Sequence, residues 1–257
     1  MPPRYQQIDP AEMTPGELAQ VIREARASQE RGSELLSRLL VATDEGGDGM
    51  SDRQLRDEII TMFLAGHETT AIALTSALYL LARHPAIAAR ARAEVDAVAG
   101  ARALGAEDMP RLKLIDAIVR ETMRLYPPAW IMGRETVRDV EVGGVPVPAG
   151  AQILMSPWVV HRDARWFREP EEFRPDRWLD GSTAGIHRYA YFPFGGGPRV
   201  CIGNHFAMLE AVLILATLIQ RLELDTTPAT RFELSPAVTL RPTGPVELSV
   251  RPRRAAA

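Results

Sequence analysis

The chain has 257 residues, 46% of them hydrophobic and 25% charged, with a formal net charge of −3. That suits one large core or two modest ones in a globular protein, and gives no basic field for nucleic acid or an anionic membrane. The single cysteine excludes an internal disulfide framework and any multi-cysteine zinc or iron–sulfur site, and fits a reducing compartment.

Residues 1–16 contain four prolines and no periodicity, so an irregular lead-in is expected, ahead of one domain over 17–257. Met1-Pro-Pro-Arg-Tyr5 lacks a charged-then-apolar leader pattern. Residues 17–31 have helical character and are rich in charge. Ser33 to Val41 is a short apolar helix candidate, followed by the polar, glycine-rich loop 43–50.

The strongest helix signal comes next. Ser51 and Gln54 form a capping box, in which the hydroxyl and the amide side chain can satisfy two orphan N–H donors. The pattern runs to about His84, where Pro85 stops it. At 1.5 Å per residue this helix is about 50 Å long, enough to cross the molecule. Its apolar second half is expected to be buried. Thr69 to Ala82, the most apolar stretch before residue 100, is too short to span a bilayer. The sequence therefore reads as cytoplasmic, without a membrane span.

Pro85 opens a further helix to about Val98, and another runs from about Leu112 to Tyr126, ending at Pro127-Pro128. Gly143-Gly144, flanked by β-branched residues between Val137 and Val147, predicts a hairpin. Residues 161–200 are rich in Pro, Arg and aromatics without a period. A meander of that length is unusual in a compact domain unless it is functional. A strongly apolar helix follows Cys201 to about Gln220, and 222–252 alternates like short terminal strands. The fold class is mainly α with small peripheral β elements.

Phe194-Gly-Gly-Gly-Pro-Arg-Val-Cys-Ile-Gly203 is the most informative segment. Consecutive glycines permit backbone conformations closed to other residues and let a flat ligand approach. Cys201 lies just before a helix, where partial positive charge and free N–H groups favour a thiolate. Gly203, placed in the first turn, leaves room for a planar group. Arg199 can supply an always-charged partner for a carboxylate. An inert buried cysteine is one reading of these residues, and a cysteine nucleophile with His205 as base is another. Neither explains the aromatic, the glycines and the arginine upstream.

Ala65-Gly-His-Glu-Thr-Thr70 lies inside the long helix. A mid-helix glycine costs about 1 kcal/mol relative to alanine, and adjacent threonines can compete for backbone carbonyls, so a local distortion is expected. His67-Glu68 begins like a zinc-protease motif, but position 71 is alanine where a second histidine is needed. Glu121 and Arg124, three apart on one helix face, read alone as a surface pair.

Together these strings resemble the cytochromes P-450, the haem-thiolate monooxygenases. Phe194, Gly197, Arg199, Cys201 and Gly203 match every fixed position of that family's haem-binding loop. The resemblance runs from about residue 17 to the C-terminus, with the motifs in the family's order. It implies haem b (iron protoporphyrin IX) with Cys201 as iron ligand, and cofactor contacts from Phe194, Gly195, Arg199, Gly203, Ala65 and Gly66. Cysteine ligation is the feature by which this family favours O–O cleavage. The resemblance further implies Glu68 as the acid and Thr69 as the alcohol that deliver protons to dioxygen. Glu121, Arg124 and Arg177, the last in Phe173-Arg-Pro-Asp-Arg-Trp178, would form a buried structural network. Arg134 would face a haem propionate or, equally, solvent.

Family members are substantially longer, and this chain begins near the end of the portion that covers the substrate side. The expected activity is insertion of one oxygen atom from O2 into a small organic substrate. Electrons would come from a separate ferredoxin or flavoprotein reductase. A haem-binding fragment without turnover of its own is the alternative, and an exposed apolar patch would accompany it.

Overall fold

The computed structural model describes residues 15–27, 35–44 and 46–253. Two compact units divide the chain, Met1–Glu68 and Thr69–Ala257.

The first unit holds helix α1 (Pro15–Ala27), the short helix α2 (Leu35–Val41) and the first half of α3 (Asp52–Arg83). The lead-in is thus shorter than expected: Pro15 begins α1, where its fixed φ suits a first helical turn and its missing N–H costs nothing. Residues 1–14 and Ser33 lie outside the described residues. The 43–50 loop is closed by Asp44, whose Oδ1 accepts the N–H groups of Gly46 and Asp48, both at 2.9 Å. Arg26 ties α1 to the start of α3, donating to Asp52 Oδ1 and to the Met50 carbonyl, each at 2.7 Å. The capping box forms: Ser51 N–H donates to Gln54 Oε1 at 3.0 Å, and Gln54 N–H donates to Ser51 Oγ at 3.3 Å.

Helix α3 runs unbroken for 32 residues, about 48 Å, so Gly66, Thr69 and Thr70 do not interrupt it. The expected distortion is absent as a break, because one glycine's cost is small against a cooperative ladder of this length.

In the second unit the apolar end of α3 is buried through Ile72, Ala73, Ala77, Leu80 and Leu81. It shares a core with α4 (Pro85–Ala99), α5 (Lys113–Leu125) and α7 (Asn204–Arg221). Helix α5 is the centre of that core: Ile115, Ala117 and Ile118 are fully buried. The Glu94 carboxylate of α4 accepts the N–H groups of Leu114 and Ile115, satisfying two of the donors orphaned at the start of α5. Buried Gln220, near the end of α7, donates to the carbonyls of Gly100 and Arg102 and clamps the chain leaving α4.

Small antiparallel pairs surround this core. The hairpin of β2 (Val140–Val142) and β3 (Val145–Val147) turns through Gly143 and Gly144 at φ +59° and +82°, as two-residue turns of the hairpin type require. Three further elements lie outside the sequence expectation. Strand β1 (Met132–Glu135) pairs with β4 (Gln152–Met155), and a one-turn helix, α6 (Pro157–Val160), follows. Near the C-terminus β5 (Leu222–Thr226) pairs with β8 (Leu248–Pro252), and β6 (Leu234–Pro236) with β7 (Leu240–Pro242). Between α6 and α7 the meander holds only two one-turn 3₁₀ segments, Pro175–Trp178 and Gly197–Arg199. No single helix among the described residues is long and apolar enough to cross a membrane.

Candidate functional site

The cysteine loop is built from backbone hydrogen bonds. Phe192 C=O accepts Gly195 N–H at 3.0 Å, and Phe194 C=O accepts Cys201 N–H at 2.9 Å. These close the loop on itself and bring the thiol back beside its own root. The turn requires φ of +75° at Gly195 and +70° at Gly197, where a side chain would be strained. Gly196 is extended and is needed for space instead: an added Cβ would lie 2.5 Å from a ring carbon of Tyr189.

Cys201 is exposed, so the inert, buried reading is excluded. No hydrogen bond joins it to His205, which is also exposed. Helix α7 starts at Asn204, so Gly203 is its N-cap and not a residue of its first turn. The Cys201 carbonyl accepts Asn204 N–H at 3.4 Å, and Gly203 C=O accepts the N–H of Ala207 at 2.8 Å. Apolar side chains that follow Cys201 in the chain stand in solvent, Ile202 89% and Phe206 69% exposed.

Two arginines border the loop. Arg199 ends the 3₁₀ segment before Cys201 and is exposed. Arg134 is exposed on β1, two residues after Met132. An added Cβ on Gly195 would meet Met132 Sδ at 3.3 Å, so that face of β1 abuts the loop. Alternation along a strand puts Arg134 on the same face. Neither arginine pairs with an acid among the described residues.

Behind the loop lies a charged cluster shut off from water. The side chains of Glu121 and Arg124 are fully buried and that of Arg177 is 1% exposed. Arg124 grips both Glu121 oxygens at 2.9 Å through Nε and Nη2. Arg177 Nε adds a third bond at 2.9 Å, Trp178 Nε1 a fourth at 2.9 Å and Arg174 N–H a fifth at 3.0 Å. The outer nitrogens of both arginines donate to meander carbonyls, Arg124 to those of His161, Pro170 and Glu172, and Arg177 to those of Arg168 and Glu169. The spacing of Glu121 and Arg124 by itself suggested an exposed pair; the aromatic and arginine contacts from the meander are what bury it. The Trp178 and Arg174 contacts, and the part played by His161, had no local sequence signal.

The other candidate residues lie on α3. Ala65, Gly66 and His67 are exposed, and a Cβ added at Gly66 would meet nothing within 4 Å. His67 stacks on Phe63, ring centroids 5.8 Å apart. Glu68 closes the first unit and Thr69 opens the second; both are half-buried.

A helical core thus carries an accessible thiol on a glycine turn, with a buried carboxylate–guanidinium cluster behind it. The family model described as Cytochrome P450 matches residues 6–250, and the chain belongs to the cytochrome P450 family. It is 42% identical over 224 residues to cyclooctatin synthase of Streptomyces melanosporofaciens, covering 87% of this chain and 49% of that protein. It is 41% identical over 208 residues to pentalenene oxygenase of Streptomyces avermitilis, covering 81% and 46% respectively. Among solved structures, the haem domain of cytochrome P450DA superposes with a TM-score of 0.88 at 34% identity, covering 93% of this chain and 53% of that one. Retinoic acid-bound cyanobacterial CYP120A1 gives a TM-score of 0.88 at 32% identity, with 93% and 55% covered. The chain spans about half the length of the curated relatives it matches.

Proposed function

We propose that this chain carries the cysteine-ligand half of a haem-thiolate monooxygenase that inserts one oxygen atom of O2 into a small organic substrate. The observation that carries the proposal is the accessible Cys201 thiol, held by the Phe194–Cys201 turn within an exposed apolar rim. Among the described residues, no group of three or more His, Cys, Asp or Glu side chains is arranged to hold a metal ion. A surface thiol flanked by exposed apolar side chains could hold the iron of a haem and pack against its ring. Haem b, when bound, supplies the oxygen-activating chemistry.

The chain's own residues do the rest. Cys201 would hold the haem iron, and its bonds to the Phe194 carbonyl and the Asn204 N–H fix its backbone. Gly195 and Gly203 would leave room for the macrocycle and Phe194 would pack beside it; the family resemblance gives Ala65 and Gly66 of α3 a space-making role as well. Arg199 and Arg134 present guanidinium groups suited to bidentate contact with propionates. By the family resemblance, the Glu68 carboxyl and the Thr69 hydroxyl, adjacent on α3, would be the groups that hold and pass protons there. Electrons come from a ferredoxin or flavoprotein reductase. Glu121, Arg124 and Arg177 stay outside the chemistry and hold the meander in place.

The test is the absorption spectrum of haem-reconstituted protein, reduced and exposed to carbon monoxide. A strongly red-shifted Soret band is expected, and Cys201→Ala should abolish it. An unshifted band in the unmodified chain would overturn thiolate ligation. The half-length match favours a second reading, haem binding with turnover only when the remaining polypeptide is supplied. Substrate-dependent turnover by this chain with a redox partner alone would exclude it.

A further inference from the structure

We propose that His161 is the positioning residue that fastens the root of the cysteine loop to the buried charged network, and so sets where Cys201 stands. The proposal deepens the haem-ligand reading of Cys201 and rests on it.

His161 follows α6 directly and is fully buried. It is held at two points. Its carbonyl accepts Arg124 Nη1 at 2.8 Å, which ties its main chain to the Glu121 cluster. Its Nε2 accepts the N–H of Phe192 at 2.9 Å. An acceptor at Nε2 requires the neutral imidazole with its proton on Nδ1. That Nδ1 is buried and makes no full hydrogen bond. The bond to Phe192 N–H is thus the full hydrogen bond that the ring makes.

Phe192 is where the loop begins. Its N–H goes to His161 and its carbonyl accepts Gly195 N–H, the first bond of the glycine turn. The turn then closes through the Phe194 carbonyl and Cys201 N–H. An unbroken series of contacts therefore leads from Glu121 through Arg124 and His161 to the backbone that carries the thiol. Tyr191 and Phe192 flank the imidazole, with ring centroids at 5.1 and 5.3 Å, and keep water from competing for its Nε2.

Two polar substitutions separate this role from simple space-filling. His161→Gln can place an acceptor oxygen at the depth of Nε2. His161→Asn reaches only the depth of Nδ1. The first measurement is amide hydrogen exchange on the haem-free chain. Exchange of the Phe192-to-Cys201 amides should accelerate roughly tenfold in the Asn variant, the loss of one good hydrogen bond, and stay near the unmodified rate in the Gln variant. The amides of α4 should not change in either. Equal rates in all three proteins, equal acceleration in both variants, or acceleration spread evenly over α4 and the loop would each overturn the proposal. The second measurement, on haem-loaded protein, is the share of the red-shifted carbon monoxide band, expected to fall in Asn and persist in Gln. Failure of Cys201 as a haem ligand would look different: no such band in the unmodified chain, with the exchange pattern intact.

Discussion

Arg177→Ala is expected to destabilise the protein by about 3–5 kcal/mol, the cost of breaking a buried ion pair from one side. Glu121 would keep Arg124, Trp178 and the Arg174 amide, but its fully buried carboxylate would lose one of two compensating cations. The carbonyls of Arg168 and Glu169 would lose their donor as well. Glu169 is the one non-glycine residue among those described with a positive φ, +52°, so Arg177 also holds a strained turn of the meander. Arginine's fork is essential here, because three acceptors on two segments, Glu121 and the consecutive carbonyls of Arg168 and Glu169, are reached at once; lysine could not replace it. Arg165→Ala is the matched control. Its pair with Asp163 is on the surface, with the arginine side chain 82% exposed, and its removal should leave stability near that of the unmodified protein. Chemical denaturation decides the matter: equal, small losses in the two variants would show that the buried cluster contributes little.

Acidification is expected to weaken the fold well before most carboxylates protonate, and His161 is the cause. Burial, reinforced by the positive charges of Arg124 and Arg162, holds its imidazole down at about 3 from an ordinary 6.5, although the carbonyls of Met123 and Arg124 offset part of this. Tyr191, packed against the ring, is neutral throughout the range, its hydroxyl pushed far up by burial. The unfolded chain therefore binds a proton below pH 6.5 that the folded chain refuses down to about pH 3. More protons on the unfolded state means stability rises with pH, so stability falls as pH drops from 6.5 toward 3, by at most about 1.4 kcal/mol per unit. Between pH 6.5 and 5 this slope should be present in the unmodified protein and largely lost in His161→Gln. The same slope in both would assign the acid sensitivity elsewhere.

Local signals carried much of the architecture. Ser51 with Gln54 marked the start of α3, Pro85 its end, and Gly143-Gly144 the hairpin, because each acts through its own neighbours. The pairing of Met132–Glu135 with Gln152–Met155 was not legible: the strands are short, lack alternation and meet across an intervening hairpin. For the candidate site, the glycine turn and the lone cysteine stood out in the sequence, and resemblance to a family joined Arg177 to Glu121. Nothing local could show that Glu121 is buried, since a Glu–Arg pair three apart reads as a surface pair until distant residues cover it. His161-Arg-Asp163 resembles the family's meander entry in sequence, but the contacts of His161 were hidden for the same reason. Its partner Phe192 is 31 residues away, and its role depends on which ring nitrogen faces that amide.

Cys201 is the sole thiol of the chain and lies at its surface. A thiol-selective alkylating reagent therefore has a single target, and that target is the atom on which the proposed chemistry depends. Labelling stoichiometry becomes a direct measure of site occupancy: a group ligated by the sulfur shields it, and each chain that escapes modification is a chain with its ligand in place.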